Sequence, residues 1–230
     1  MHTPSIVRFL RRRFRGLGNE GQSVVEFAVA LPFLVLMSIG SFAVGMILDR
    51  HLTLGQVVRN GGNMYARGID FASDQNKNFI IDAATGLDLH LNSGHTAVWF
   101  TTLTRVPANA QCDDGSGGTR DCNNNGQVVI AQRYMIGDTS GQKMNSRMAA
   151  AGFPFSFVDK AGNSATEGDH EDYYDLTEAR ATAAPSSVTD PTNGLQEGEL
   201  LYVVEVIHRP TTIQFQGIFA PEYMYSRAFF

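Results

Sequence analysis

The apolar run from Val24 to Leu48, in which Glu26 is the only charged residue, constrains this chain more than any other feature. As an α-helix rising 1.5 Å per residue, about 25 residues extend roughly 37 Å, enough to cross a hydrocarbon core of about 30 Å. The run is therefore expected to be a membrane helix. A carboxylate in hydrocarbon costs roughly 2.5–3.5 kcal/mol on insertion scales, so Glu26 marks a functional position and calls for a partner. A cleaved secretory signal is the competing reading, with Ala43 and Gly45 as the small residues before a cut. The apolar cores of such signals run about 7–15 residues, well short of this one.

The formal charge of −5 is unevenly spread. Arg8, Arg11, Arg12, Arg13 and Arg15 precede the apolar run against Glu20 alone, and the remainder of the chain is acidic. Positive charge before the run, and only the mixed Asp49-Arg50-His51 after it, predicts a cytoplasmic N-terminus, an inner-membrane helix and a body in the periplasm or its equivalent. The basic head reads as a topogenic signal. An acidic body offers no footprint for phosphate backbones, which argues against a nucleic-acid partner. What remains beyond the helix suits one domain of ordinary size.

The two cysteines, Cys112 and Cys122, lie in the Gly/Asp/Asn-rich stretch AQCDDGSGGTRDCNNNG. This topology puts them in an oxidising compartment, where a disulfide is the natural outcome. A metal site would want more Cys or His nearby, and a reactive thiol would want basic neighbours.

Read leftwards from Glu26, the sequence is Gly21-Gln22-Ser23-Val24-Val25-Glu26-Phe27 behind an arginine-rich head. This arrangement resembles the type IV prepilin family, in which a basic leader and a glycine precede a hydrophobic helix whose fifth residue is Glu. The resemblance implies that a prepilin peptidase cuts between Gly21 and Gln22. It would then leave a cleaved leader (1–21), a transmembrane and extended N-terminal helix (22–68) and a periplasmic domain (69–230). It also implies that Glu26, followed by Phe27, serves assembly by pairing with the N-terminal amine of a neighbouring subunit. The chemistry is consistent with this. The cut frees an α-amino group at Gln22, about one helical turn from Glu26, and an amine at the edge of hydrocarbon needs an acceptor as much as the carboxylate needs a donor. Pairing within one subunit stays open as the alternative.

The stretch GQSVVEFAVALPFLVL, Gly21 to Leu36, is most similar to the TadE-like minor pilins or pseudopilins of the tight-adherence (Flp) system, Pro32 included. The continuation LDRHLTLGQVVRNGGNMYARG, Leu48 to Gly68, resembles that family's outward extension of the helix, closed by an Asn/Ala/Arg-rich turn. Asn60-Gly61-Gly62 departs from the family's alanines, and each glycine weakens a helix by roughly 1 kcal/mol relative to alanine. Pro32 removes one hydrogen bond and crowds the carbonyl of Ala28, which membrane helices tolerate. Ser41 and Gly45 form a small-xxx-small pair that would admit a second helix. The partners implied are the prepilin peptidase, the major pilin, a sibling minor pilin, the inner-membrane assembly platform and the membrane.

Beyond Gly68, Ser73-Asp74 followed by Phe79, Ile80, Ala83 and Ala84 predicts a short capped helix. TAVWFTTLT (96–104), QVVIAQRYMI (127–136) and LLYVVEVIH (200–208) read as strands, and EYMYSRAFF (222–230) alternates well enough to pair at a sheet edge. Within residues 138–199, Gln142–Ala151 reads as helix and 181–194 as loop. Strands joined by long loops argue for an antiparallel sheet with the outer half of the N-terminal helix across one face. The expected class is α+β and pilin-like.

Little else carries chemistry. Asp74, Asn76, Asn78 and Asp82 have calcium-loop spacing, but Phe79 stands where the turn wants glycine and Thr85 replaces the bidentate glutamate, so helix capping is the better reading. Asp169-His170-Glu171-Asp172 with Asp175 reads as a solvated loop face. His208, at a strand end, reads as structural. No metal site, cofactor or enzymatic motif such as HExxH, GxxxxGK[ST] or GxSxG is found. The expected function is a non-enzymatic minor pilin or pseudopilin that primes or supports assembly of a Flp-type pilus. The alternative is a single-pass, membrane-anchored periplasmic binding or adhesion module.

Overall fold

The structure is a computed structural model that describes residues 20–137, 146–148, 157–158, 164–165, 168–169, 173–210 and 223–230. It divides into two compact units between Ile47 and Leu48. The first unit contains the beginning of helix α1, Glu20–Ala66, which runs on without interruption through Pro32. Most of its apolar side chains are exposed, among them Phe33, Leu36, Met37 and Phe42, while Ala43 is buried. A helix that is hydrophobic on every side and mostly uncovered by the described residues belongs in a bilayer or among other helices. By length and composition α1 can cross a membrane.

In the second unit the same helix becomes amphipathic. Leu54, Val57, Val58, Gly61, Gly62 and Tyr65 are buried, at the three- and four-residue spacing of one helical face, while Arg59, Asn60 and Asn63 are exposed. The glycines do not end the helix. A Cβ on Gly61 would stand 3.0 Å from Cε1 of Phe100, and one on Gly62 would stand 1.9 Å from Cε2 of Phe230. Glycine here trades helix propensity for close approach of aromatic rings to the backbone. The helix stops at Ala66 because Gly68 adopts φ +82°. Its N–H donates to the carbonyl of Tyr65 (2.9 Å) and that of Ile69 to Met64 (3.2 Å), a Schellman closure.

The face of α1 from Leu54 to Tyr65 lies on an antiparallel sheet, the α+β arrangement expected from the strand spacing. Its main strands are β1 (Thr96–Arg105), β4 (Val128–Ile136), β8 (Leu200–His208) and β9 (Met224–Phe229), with the short β7 (Gly168–Asp169) beside β4. Their order is β7-β4-β1-β8-β9, every pairing antiparallel, with a register shift between Thr102 and Leu103. Phe100 and Thr102 face α1: the Tyr65 ring is edge-on to Phe100 at 5.5 Å, and its hydroxyl bonds Thr102 Oγ1 at 2.7 Å. Phe100 also stacks on Phe71 at 4.0 Å.

By alternation Trp99, Thr101 and Leu103 face the other side. There Leu103 joins a second core with Val128, Ile130, Met148, Val188 and Val203. β1 is thus buried along its whole length, threonines included. A charged centre lies on this side too. The Arg133 guanidinium stacks over Trp99 at 4.1 Å, and Glu205 accepts from Ser146 Oγ, from the Arg147 N–H (3.0 Å) and from the Tyr225 hydroxyl (2.7 Å).

The short helix expected after Ser73 is α2, Asp74–Ala83, although the Ser73 side chain makes no capping bond. Of the helix expected at Gln142–Ala151, residues 142–145 and 149–151 lie outside the described residues, and 146–148 are not helical. The loop read at 181–194 holds one helical turn, α3, Ser186–Thr189. Elements that the sequence patterns do not announce are β2 (Gln111–Asp113) and β3 (Thr119–Asp121), which form a hairpin, the short antiparallel pair β5 (Phe157–Val158) and β6 (Ser164–Ala165), β7, and a 3-10 turn at Thr177–Ala179.

Candidate functional site

Gly21 and Gln22 are the second and third residues of α1, and Glu26 and Phe27 follow on its next turn. Glu26 is four residues beyond Gln22, so backbone and carboxylate are about one turn apart along the axis. Around Glu26, Val24, Val25 and Phe27 are 65%, 64% and 59% exposed. The acid therefore lies in an apolar surface that is exposed among the described residues. Gly45 has nothing within 4 Å of where a Cβ would be, and Ser41 is exposed, so the small-residue pair is also left open.

Cys112 and Cys122 are bridged, with Cα atoms 5.1 Å apart, and close the β2–β3 hairpin. The hairpin is fastened by Asp175, whose carboxylate pairs with Arg120 and accepts from the Asn123 N–H (3.1 Å). Those bonds, Arg120 first, hold the Asp175 carboxyl below its usual range. Beside it the buried Asn124 donates to the carbonyls of Tyr173 (2.8 Å) and Leu176 (2.6 Å). Asp175 is thus a structural ion pair. Of the other acidic-knot residues, Asp169 is in β7, while His170, Glu171 and Asp172 lie outside the described residues.

The calcium-like residues Asp74 to Asp82 are wound into α2, and the carbonyl at the seventh position of such a loop, Ile80, accepts the Ala84 N–H at 3.0 Å. Among the described residues no group of three or more His, Cys, Asp or Glu is placed to hold a metal ion. His208 is buried at the end of β8, with Nδ1 2.8 Å from Thr96 Oγ1. The Thr96 hydroxyl gives its proton to the Leu87 carbonyl, so it accepts from Nδ1–H, which fixes the tautomer. Burial, and then the nearby Arg50 charge, push the His208 pKa down to about 4.

Residues 21–62 match the model of a family described as TadE-like protein. Over this segment the chain is TadE-like. The match begins at Gly21, takes in Gln22, Glu26, Phe27 and Pro32, and ends at Gly62, the second of the two glycines under the aromatic rings. The match makes this segment, and not the remainder of the chain, similar to TadE-like proteins. No curated protein and no solved structure matches the chain. The match does not extend to residues 63–230, the rest of the second unit. There two arginines that the sequence reading passed over, Arg105 and Arg180, line a cleft of about 440 Å³. The available signal was an arginine closing a β-branched strand, in TTLTR.

Proposed function

We propose that this chain is a minor pilin or pseudopilin that primes or supports assembly of a Flp-type pilus. A prepilin peptidase cuts it after Gly21, and Glu26 receives the new amine of Gln22 on a neighbouring subunit. The observation that carries this reading is the lone acid five residues after Gly21, set in an exposed apolar helix within the TadE-like segment. A carboxylate and an amine at the edge of hydrocarbon each need the other, and an apolar helix surface that is mostly exposed has room for a second helix. In this reading the protein works without catalysis, as a structural subunit. Its partners are the processing peptidase, the major pilin, a sibling minor pilin and the inner-membrane platform, and its body stands on the periplasmic side.

The mass of the N-terminal peptide of protein taken from its native host tests the reading. A chain that starts at Gln22 is expected, and Gly21→Leu should leave a full-length, membrane-inserted precursor and few pili. An intact leader in the native protein would instead favour a membrane-anchored binding or adhesion module.

A further inference from the structure

Arg105 ends the central strand with its side chain only 7% exposed, and among the described residues no carboxylate forms an ion pair with it. Its guanidinium donates to four backbone carbonyls: Leu195, Gly126 (2.6 Å), Thr189 (2.9 Å) and Asp190 (3.0 Å). The acids nearest in sequence to these contacts hydrogen-bond to backbone N–H groups rather than to the guanidinium, although the Asp190 carboxyl, held below its usual range chiefly by those N–H groups, also feels the Arg105 charge. The Asp190 carboxylate accepts the N–H groups of Thr192 (2.7 Å) and Asn193 (3.3 Å), and Glu197 accepts the Ala108 N–H (2.9 Å). Buried charges are ordinarily paired with a counter-charge, and carbonyl dipoles satisfy the hydrogens while leaving the net charge in place.

A second cation shares the cleft. Arg180 donates through Nε to Asn124 Oδ1 (2.8 Å) and through Nη2 to the Asn123 carbonyl (2.7 Å), which leaves both hydrogens of Nη1 without an acceptor among the described residues. The remaining wall includes Gln127, Thr182 and Thr189 as polar groups and Pro191 as an apolar one, and no carboxylate is among the described residues that line it. In a protein of formal charge −5, two guanidinium groups in one cleft give it the sign opposite to the chain as a whole. Its volume of about 440 Å³ lies within the range of small-molecule sites.

We propose that this cleft binds a small polar ligand through an oxyanion group, a carboxylate or a phosphate. The free Nη1 edge of Arg180 would donate to the oxyanion oxygens, the Arg105 charge would hold it from below, and the Thr182 hydroxyl and Gln127 amide would contact a sugar-sized body. A guanidinium recognises both groups by the same paired hydrogen bonds, so the experiment separates them. The full chain in detergent micelles is titrated by calorimetry, at constant ionic strength, with sodium phosphate, sodium glucuronate and glucose. Saturable binding of at least one anion is expected, with none for glucose. Phosphate alone identifies a phosphate site, and glucuronate alone identifies a carboxylate site.

Arg180→Gln should weaken the bound anion about tenfold, as loss of a charge-assisted pair requires, while Arg59→Gln on the exposed face of α1 leaves it unchanged. If Arg180→Gln lowers the melting temperature of the unliganded chain, Arg180→Lys, which keeps the charge and loses the fork, is read in its place and should weaken binding several-fold. Absence of saturable binding by both anions overturns the proposal. So does binding of glucose as strong as that of glucuronate, or undiminished binding in the folded Arg180 variant.

Discussion

Gly62→Ala is expected to destabilise the second unit, against the sign that helix propensity alone predicts. Alanine is favoured over glycine inside a helix by about 1 kcal/mol. At Gly62, however, the new Cβ would lie 1.9 Å from Cε2 and 2.3 Å from Cζ of Phe230. The Phe230 backbone is held by reciprocal bonds with Tyr202, at 2.9 and 3.1 Å, so the ring has to swing away rather than the residue slide. Overpacking of this kind costs roughly 1–3 kcal/mol, which leaves a net loss of about 1 kcal/mol once propensity is subtracted. For a domain of this size that is about 2–4 °C in Tm. Removing the ring reverses the sign: in a Phe230→Ala background, Gly62→Ala is expected to stabilise by up to ~1 kcal/mol, so the double-mutant cycle should show a coupling of about 2 kcal/mol. Urea unfolding of the full chain in micelles, followed by the emission of Trp99, reads this directly, because Trp99 is the one tryptophan and is buried in β1. Stabilisation by Gly62→Ala in the unaltered chain, or the same sign in both backgrounds, would show that the ring does not rest on the helix backbone.

Glu26→Ala removes a charge from the apolar run, so membrane insertion is expected to be as good or better while co-purification with pilin partners and pilus number fall. Glu26→Gln should lie between, and wild-type piliation in Glu26→Ala would make the acid incidental. His208 gives a pH signature. Its folded pKa of about 4 lies below the unfolded value near 6.5, so the unfolded chain binds the extra proton; stability is complete above pH 6.5 and is lost as pH falls towards 4. The loss approaches ~3 kcal/mol and should vanish in His208→Gln; an unchanged slope of stability against pH in that variant would assign the effect to other groups. The Cys112–Cys122 bridge, with a sequence separation of 10, should contribute somewhat under 3 kcal/mol by loop-closure entropy. After reduction, hydrogen exchange should quicken across residues 111–121 while β1 and β8 stay protected. Loss of protection in the central strands would mean that the bridge supports the sheet itself.

The elements with a local or covalent signature could be read from the sequence: the apolar helix, the strands at 96–104, 127–136 and 200–208, the edge strand near the end, and the cysteine pair. Period, length and a closed loop are properties of neighbouring residues, and no distant contact alters them. The tertiary structure decided what those patterns face. Thr96, Thr101, Thr102 and Thr104 are polar residues interleaved in an apolar strand, but β1 is covered on both faces, so its threonines are interior and Thr96 and Thr102 make their bonds there. Gly61 and Gly62 looked like a weakness in the helix, and they are where Phe100 and Phe230 approach its backbone. Arg105 carried no motif because its acceptors, Gly126, Thr189, Asp190 and Leu195, are backbone carbonyls 21 to 90 residues away. A carbonyl is present at every position of a chain, and only folding selects which of them a buried guanidinium meets.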